Sequence, residues 1–270
     1  MGHHLAGSEH QPLVNRSRPT GTGTRIGGAR WCALGSVVFV AMLALSACSP
    51  STSNLDPQPK SVVLVGDSLA EQAAPYLESM IGRATLVPQV FGGTAPCDWL
   101  DMDLGIAAGS VVVFSFNGNS LSPCMSDGLG GLLQGQAVVD KYRTDVDGLI
   151  AEAQSAGARV VLVGQPVHAE SVGGNEVVTG INQVYADLSA STEIEFVDAG
   201  AAVENADGTF AASLPCLPDE EQCDPSGSNA VRNDDGLHFC PGAPPPGPCT
   251  TYASGAFRFA QAIAEAINQP

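Results

Sequence analysis

Unbroken apolar runs alternate with helical periods along most of this chain. The run Ser61-Val62-Val63-Leu64-Val65 is continuous and mostly β-branched, which suits a parallel strand covered on both faces. Similar runs predict strands over residues 86–91, 111–116, 159–163 and 194–197. Val138, Val139, Tyr142, Val146, Leu149, Ile150 and Ala153 keep a 3.6-residue period, and residues 69–82 and 177–190 also read as helix. A last helix is predicted to start at a Ser254 cap and to bury Phe259, Ile263 and Ile267. Strands alternating with helices predict one α/β domain of three layers, α/β/α, around a mostly parallel five-stranded sheet. Residues 92–110 and 199–253 break the alternation. They are rich in Gly, Pro and Cys and are expected to be pinned loops.

The first 60 residues follow another pattern. Arg16, Arg18, Arg25 and Arg30 precede an apolar run from Trp31 to Ala47. Basic, then apolar, then small residues is the layout of a secretion signal. Leu45-Ser46-Ala47-Cys48, followed by a polar stretch rich in Ser and Pro, resembles the lipobox of bacterial lipoproteins. The resemblance implies a signal peptide over 1–47, cleavage before Cys48, lipid on the Cys48 thiol, a flexible linker over 48–60 and a domain over 61–270. The alternative is an uncleaved anchor helix. Either way the body is expected on the extracytoplasmic face of the cell membrane, and the membrane is its partner through the anchor.

Composition narrows the function classes. Hydrophobic residues make up 44% of the 270, enough for a sizeable core. Lys and Arg number 11 against 28 Asp and Glu, a net charge of −17, so the chain is poorly suited to gripping phosphate backbones and no nucleic-acid partner is expected. The basic N-terminal segment leaves the body more acidic still, which favours neutral substrates over polyanions.

Beyond Cys32 in the signal and Cys48, six cysteines remain: Cys97, Cys124, Cys216, Cys223, Cys240 and Cys249. An even number in an exported chain reads as disulfides, and proximity in sequence favours Cys97–Cys124, Cys216–Cys223 and Cys240–Cys249. Without a CxxC pair the spacings do not suit structural zinc, and no metal is expected.

In open parallel sheets, sites form beyond the carboxyl ends of strands. Gly66-Asp67-Ser68-Leu69 follows the first run, and a serine at a strand-to-helix turn presents its hydroxyl at the sheet edge. Gly92-Gly93-Thr94 follows the second run, where a glycine backbone N–H can approach a ligand closely. Asn117-Gly118-Asn119-Ser120 follows the third, where an amide can face a developing oxyanion. Near the C-terminus stands Asp235-Gly236-Leu237-His238. An Asp three residues before a His can accept the Nδ1 hydrogen and turn Nε2 toward a nucleophile.

Together these blocks resemble the SGNH, or GDSL, hydrolases. The resemblance covers about residues 61–268 and implies a flavodoxin-like sheet and hydrolysis or transfer of ester-linked acyl groups. It assigns Ser68 as nucleophile, His238 as base and Asp235 as orienting acid, and it implies no cofactor. The expected oxyanion hole consists of the Ser68 and Gly93 backbone N–H groups, with Gly92 the alternative, and the Asn119 amide, with Asn117 the alternative. The family's third block ends in Asp after the Asn, and this chain has none there. The expected substrate is an acyl ester, with an acylated envelope glycan the leading case. A non-catalytic lipoprotein that binds glycan or protein is the competing class. Two further features stand near the strand ends. His168 reads as a polar loop residue or a substrate contact. Asp98, Asp101 and Asp103 around Trp99 read as a solvated loop, with a cation or sugar site as the alternative.

Overall fold

The computed structural model describes residues 59–241 and 247–269. The signal segment, Cys48 and nearly all of the linker lie outside them.

Strand β1 (Ser61–Gly66) is the hub of the sheet. It pairs in parallel with β2 (Thr85–Val90) on one side and β3 (Val111–Ser115) on the other. β4 (Arg159–Val163) and β5 (Glu195–Val197) extend the β3 side, giving the order β2-β1-β3-β4-β5, all parallel. Pro88 lies in β2, an edge strand, where a missing N–H costs no central ladder bond.

Successive side chains of a strand point to opposite faces, and the five runs feed two cores in this way. Val62 and Leu64 of β1, with Val111 and Val113 of β3, face helix α1 (Ser68–Met80) and the last helix, α4 (Ser254–Asn268). Val63, Val65, Val112 and Phe114 face α2 (Gln136–Ser155) and α3 (Asn175–Ser191). Burial on both sides is the reason these strands read as continuous apolar runs. The three layers and the five-stranded parallel sheet agree with the expectation from sequence.

Two details differ. A small antiparallel hairpin, β6 (Ser213–Pro215) with β7 (Ser228–Ala230), stands inside the region read as loop. Ser254 is the first helical residue of α4 rather than its cap. Its hydroxyl donates to the Glu220 carboxylate, which also accepts from Arg258 Nε at 2.7 Å. A tertiary ion pair has claimed the side chain that local pattern assigns to capping.

The loops are cross-linked. Cys97–Cys124 joins the loop after β2 to the loop after β3, Cys216–Cys223 sits in the approach to β7, and Cys240–Cys249 bridges the segment before α4. Trp99 is 8% exposed and packs in the α2–α3 core, so its ring is no platform for a sugar. Beside it, Asp98 accepts from Ala95 N–H at 2.8 Å and from the Ser122 hydroxyl at 2.6 Å, which ties the two bridged loops together.

Candidate active site

The end of β1 runs so close to β3 that only glycine fits. A Cβ on Gly66 would lie 2.3 Å from the Ser115 carbonyl oxygen. Asp67 then caps α1, its Oδ1 accepting the Leu69 N–H at 3.1 Å, and Ser68 begins the helix. This places the Ser68 hydroxyl at the carboxyl edge of the sheet, beside a positive helix end.

His238 reaches Ser68 from the loop before α4. Its Nε2 lies 3.0 Å from Ser68 Oγ, and its Nδ1 lies 2.7 Å from Asp235 Oδ2. The other oxygen of Asp235 accepts the Leu237 and His238 backbone N–H groups, both at 2.9 Å. Partial burial pulls the Asp235 carboxyl upward, but the His238 N–H, the His238 ring and the Leu237 N–H outweigh it and hold the group below its usual range. An ionised Asp235 can only accept, so Nδ1 carries the hydrogen and Nε2 is free to accept from the Ser68 hydroxyl. Gly236 makes this turn possible: φ is +73°, and a Cβ there would meet Ala169 Cβ at 2.5 Å.

Two asparagines follow β3, and the structure gives them different tasks. Asp67 is fully buried, and its Oδ2 accepts the Asn117 backbone N–H at 2.5 Å and the Asn119 Nδ2 hydrogen at 2.9 Å. The Asn119 carbonyl accepts the Tyr142 hydroxyl of α2 at 2.9 Å. Asn119, the expected oxyanion donor, thus gives one amide hydrogen to Asp67. The Asn117 side chain instead sends Nδ2 toward His168 Nε2, 2.9 Å away. Burial pushes Asp67 up to about 7, and the donors from Asn117, Leu69 and Asn119 pull against that.

The turn after β2 closes the remaining side. Phe91 N–H donates to the Gly66 carbonyl at 3.1 Å, and the Thr94 hydroxyl bonds the Phe91 carbonyl at 2.8 Å. A Cβ on Gly92 would sit 3.6 Å from Ser68 Cβ, and Gly93 follows at φ +82°. The turn therefore lies against the serine. A cleft of about 270 Å³ opens beside Asn117 and His168, walled by Ser120, Gln134, Glu176 and Val177.

One residue at the site escaped the sequence reading. Gln72, fully buried one turn into α1, accepts the Phe239 and Cys240 backbone N–H groups at 2.8 and 3.2 Å. A polar side chain on the apolar face formed by Leu69, Ala73 and Leu77 was the available signal.

Comparisons with known proteins agree with this architecture. A family described as a protein of unknown function (DUF459) matches residues 125–243. No curated protein matches the chain. A catalytic mutant of an acetylxylan esterase from Geobacillus stearothermophilus superposes with a TM-score of 0.52 at 12% identity, over 78% of this chain and 95% of that one. A candidate acylhydrolase from Bacteroides fragilis gives 0.50 at 16% identity, over 78% and 90%. The fold of this chain is that of the SGNH, or GDSL, hydrolases.

Proposed function

We propose that this protein is a serine esterase or deacylase that cleaves O-acyl esters. The observation that carries the reading is the relay Ser68–His238–Asp235, with contacts of 3.0 and 2.7 Å at the edge of the sheet. Serine is a weak nucleophile unless a base takes its proton. In this reading His238 Nε2 accepts the Ser68 proton as Oγ attacks the ester carbonyl, and Asp235 stabilises the imidazolium. The carbonyl π electrons move to oxygen. The Ser68 and Gly93 backbone N–H groups receive that negative charge together with the second Nδ2 hydrogen of Asn117. Asn117 is taken in this role rather than Asn119 because it lines the cleft beside His168, whereas the Asn119 amide is turned to the buried Asp67. His238 then gives its proton to the leaving alkoxide, and an acyl group remains on Ser68. Water, or another alcohol, attacks this acyl-enzyme by the reverse sequence and frees the serine.

Short acyl groups on neutral glycans are the proposed substrates. The likeness to an acetylxylan esterase and the acidic composition support that class. Disulfides and the lipobox-like segment support a lipid-anchored protein on the extracytoplasmic face. The decisive experiment is hydrolysis of p-nitrophenyl acetate, with mass spectrometry after a serine-reactive phosphonate. The expected result is one phosphonyl group on Ser68 and loss of turnover in Ser68→Ala. Labelling elsewhere, or full turnover in Ser68→Ala, would refute the assignment of Ser68, and a wild type with neither turnover nor labelling would leave a binding role. Release of free acetate, against its capture by an added acceptor sugar, separates hydrolase from transferase.

A further inference from the structure

His168 occupies the loop after β4, and its two ring nitrogens meet different groups. Nδ1 lies 3.1 Å from the Gly173 carbonyl oxygen. A carbonyl can only accept, so Nδ1 carries a hydrogen. In the neutral ring Nε2 is then an acceptor, and the group facing it at 2.9 Å must be the NH₂ end of Asn117. The histidine thereby fixes which end of the Asn117 amide is nitrogen, a choice that the amide's own shape leaves open.

The histidine is itself held firmly. His168 N–H donates to Asn175 Oδ1 at 2.7 Å, and Asn175 Nδ2 donates back to the His168 carbonyl at 2.9 Å, which clamps the loop to the first turn of α3. Asn117 is 7% exposed, and its Oδ1 is buried with no hydrogen-bond partner among the described residues. The contact with His168 is therefore the one directional bond that orients this side chain among the described residues. One Nδ2 hydrogen is spent on His168, and the geminal hydrogen remains for a ligand.

We infer that His168 is a positioning residue, which fixes the Asn117 amide so that its second N–H serves the oxyanion. This rests on the reading of Asn117 as an oxyanion donor. His168 acts only when neutral. Burial is the main force lowering its pKa; the Gly173 carbonyl opposes it, and the positive charges of Arg232 and His238 add to it. Glu170 and Glu176 line clefts that His168 also lines, and Glu204 bonds the neighbouring Val167 N–H. A proton on Nε2 would set donor against donor at Asn117, and the amide would rotate away.

The test is a double-mutant cycle on p-nitrophenyl acetate with the full chain. His168→Leu removes the acceptor, and His168→Gln keeps one without a titrating proton. Misplacing a catalytic group by about 1 Å can cost roughly 10²-fold. His168→Leu should thus lower kcat by about that factor with KM little changed, and His168→Gln should recover most of the loss. In an Asn117→Ala background, which itself loses about 10²–10³-fold, His168→Leu should cost no more than about twofold. Thermal melting and phosphonate capture of Ser68 verify the fold of each variant. If Asn117→Ala is damaging but His168→Leu is harmless, or equally damaging in both backgrounds, the positioning role is overturned while the oxyanion reading stands. If Asn117→Ala is itself harmless, the oxyanion reading fails and this inference with it.

Discussion

Gln72 accepts the Phe239 backbone N–H at 2.8 Å, so the helix that carries Ser68 also holds the loop that carries His238. The same oxygen takes the Cys240 N–H, and Cys240 is bridged to Cys249 ahead of α4. Serine and histidine lie 170 residues apart in sequence, yet a single side chain one turn from Ser68 sets the backbone beside His238.

Replacing that side chain leaves two buried donors without acceptors. Gln72→Leu should destabilise the fold by about 1–3 kcal/mol for each orphaned N–H. Since the loop that carries His238 would relax, phosphonate labelling of Ser68 should also slow. Chemical denaturation and a labelling time course measure the two effects. Unchanged labelling in a destabilised variant would mean that Gln72 supports the loop without fixing His238.

The two asparagines after β3 should separate by phenotype. Asn117→Ala removes a proposed oxyanion donor and should lower kcat by about 10²–10³-fold, with only a small change in stability. Asn119→Ala removes a donor from the buried carboxylate of Asp67 and the cost should appear first as stability, about 1–3 kcal/mol. Steady-state kinetics and urea unfolding of the same two samples distinguish the cases. A larger kcat loss in Asn119→Ala, at unchanged stability, would return the oxyanion role to Asn119.

The Cys97–Cys124 bridge should matter both for stability and for the site. It joins the loop that carries Gly93 to the loop that carries Asn117 and closes a chain separation of 27 residues. A loop of that length contributes about 3–4 kcal/mol in the chain-entropy view. Cys97→Ser with Cys124→Ser should lower the unfolding free energy by that order and reduce kcat more than KM, because the proposed oxyanion donors lose their fixed separation. Retained kcat in the double variant would show that Asp98, through Ser122 and Ala95, is enough to hold the loops.

The sheet was legible because its strands are covered on both faces, as the alternation of Val62 and Leu64 against Val63 and Val65 shows. The contacts of Ser68, Asp235 and His238 were legible because a serine at a strand-to-helix turn and an Asp three residues before a His already implied them. The β6–β7 hairpin was not, since three-residue strands such as Ser213–Pro215 carry no apolar period. Nor could the strand-end motif rank Asn117 against Asn119, which flank one glycine symmetrically. What separates them is Asp67, 50 residues away, together with His168. Ser254 failed as a cap for a similar reason: Glu220, distant in sequence, takes its hydroxyl.

Acidification offers a test of the His168 tautomer that does not depend on turnover. Burial, reinforced by the charges of Arg232 and His238, lowers the His168 pKa from the ordinary 6.5. Between the lowered folded value and 6.5 the unfolded chain binds more protons at this residue than the folded one. The contribution of His168 to stability is therefore fully present above the unfolded value and is lost as pH falls through the folded one. Asp67 works in the opposite sense, since its folded pKa is raised to about 7 and its contribution is lost as pH rises through that value. The two trends overlap, so the total slope of wild type is uninformative and a difference is needed. His168→Gln keeps an acceptor for Asn117 and leaves Asp67 in place. From about pH 8 to about pH 5, the melting temperature of wild type should fall more steeply than that of His168→Gln. Parallel curves would mean that the ring is unshifted and that its burial does not favour the neutral form, whereas a wild type that gains on acidification relative to the variant would mean that the folded ring holds its proton more tightly than the unfolded one. In that last case Nε2 would be a donor, and the amide orientation assigned to Asn117 would have to be reversed.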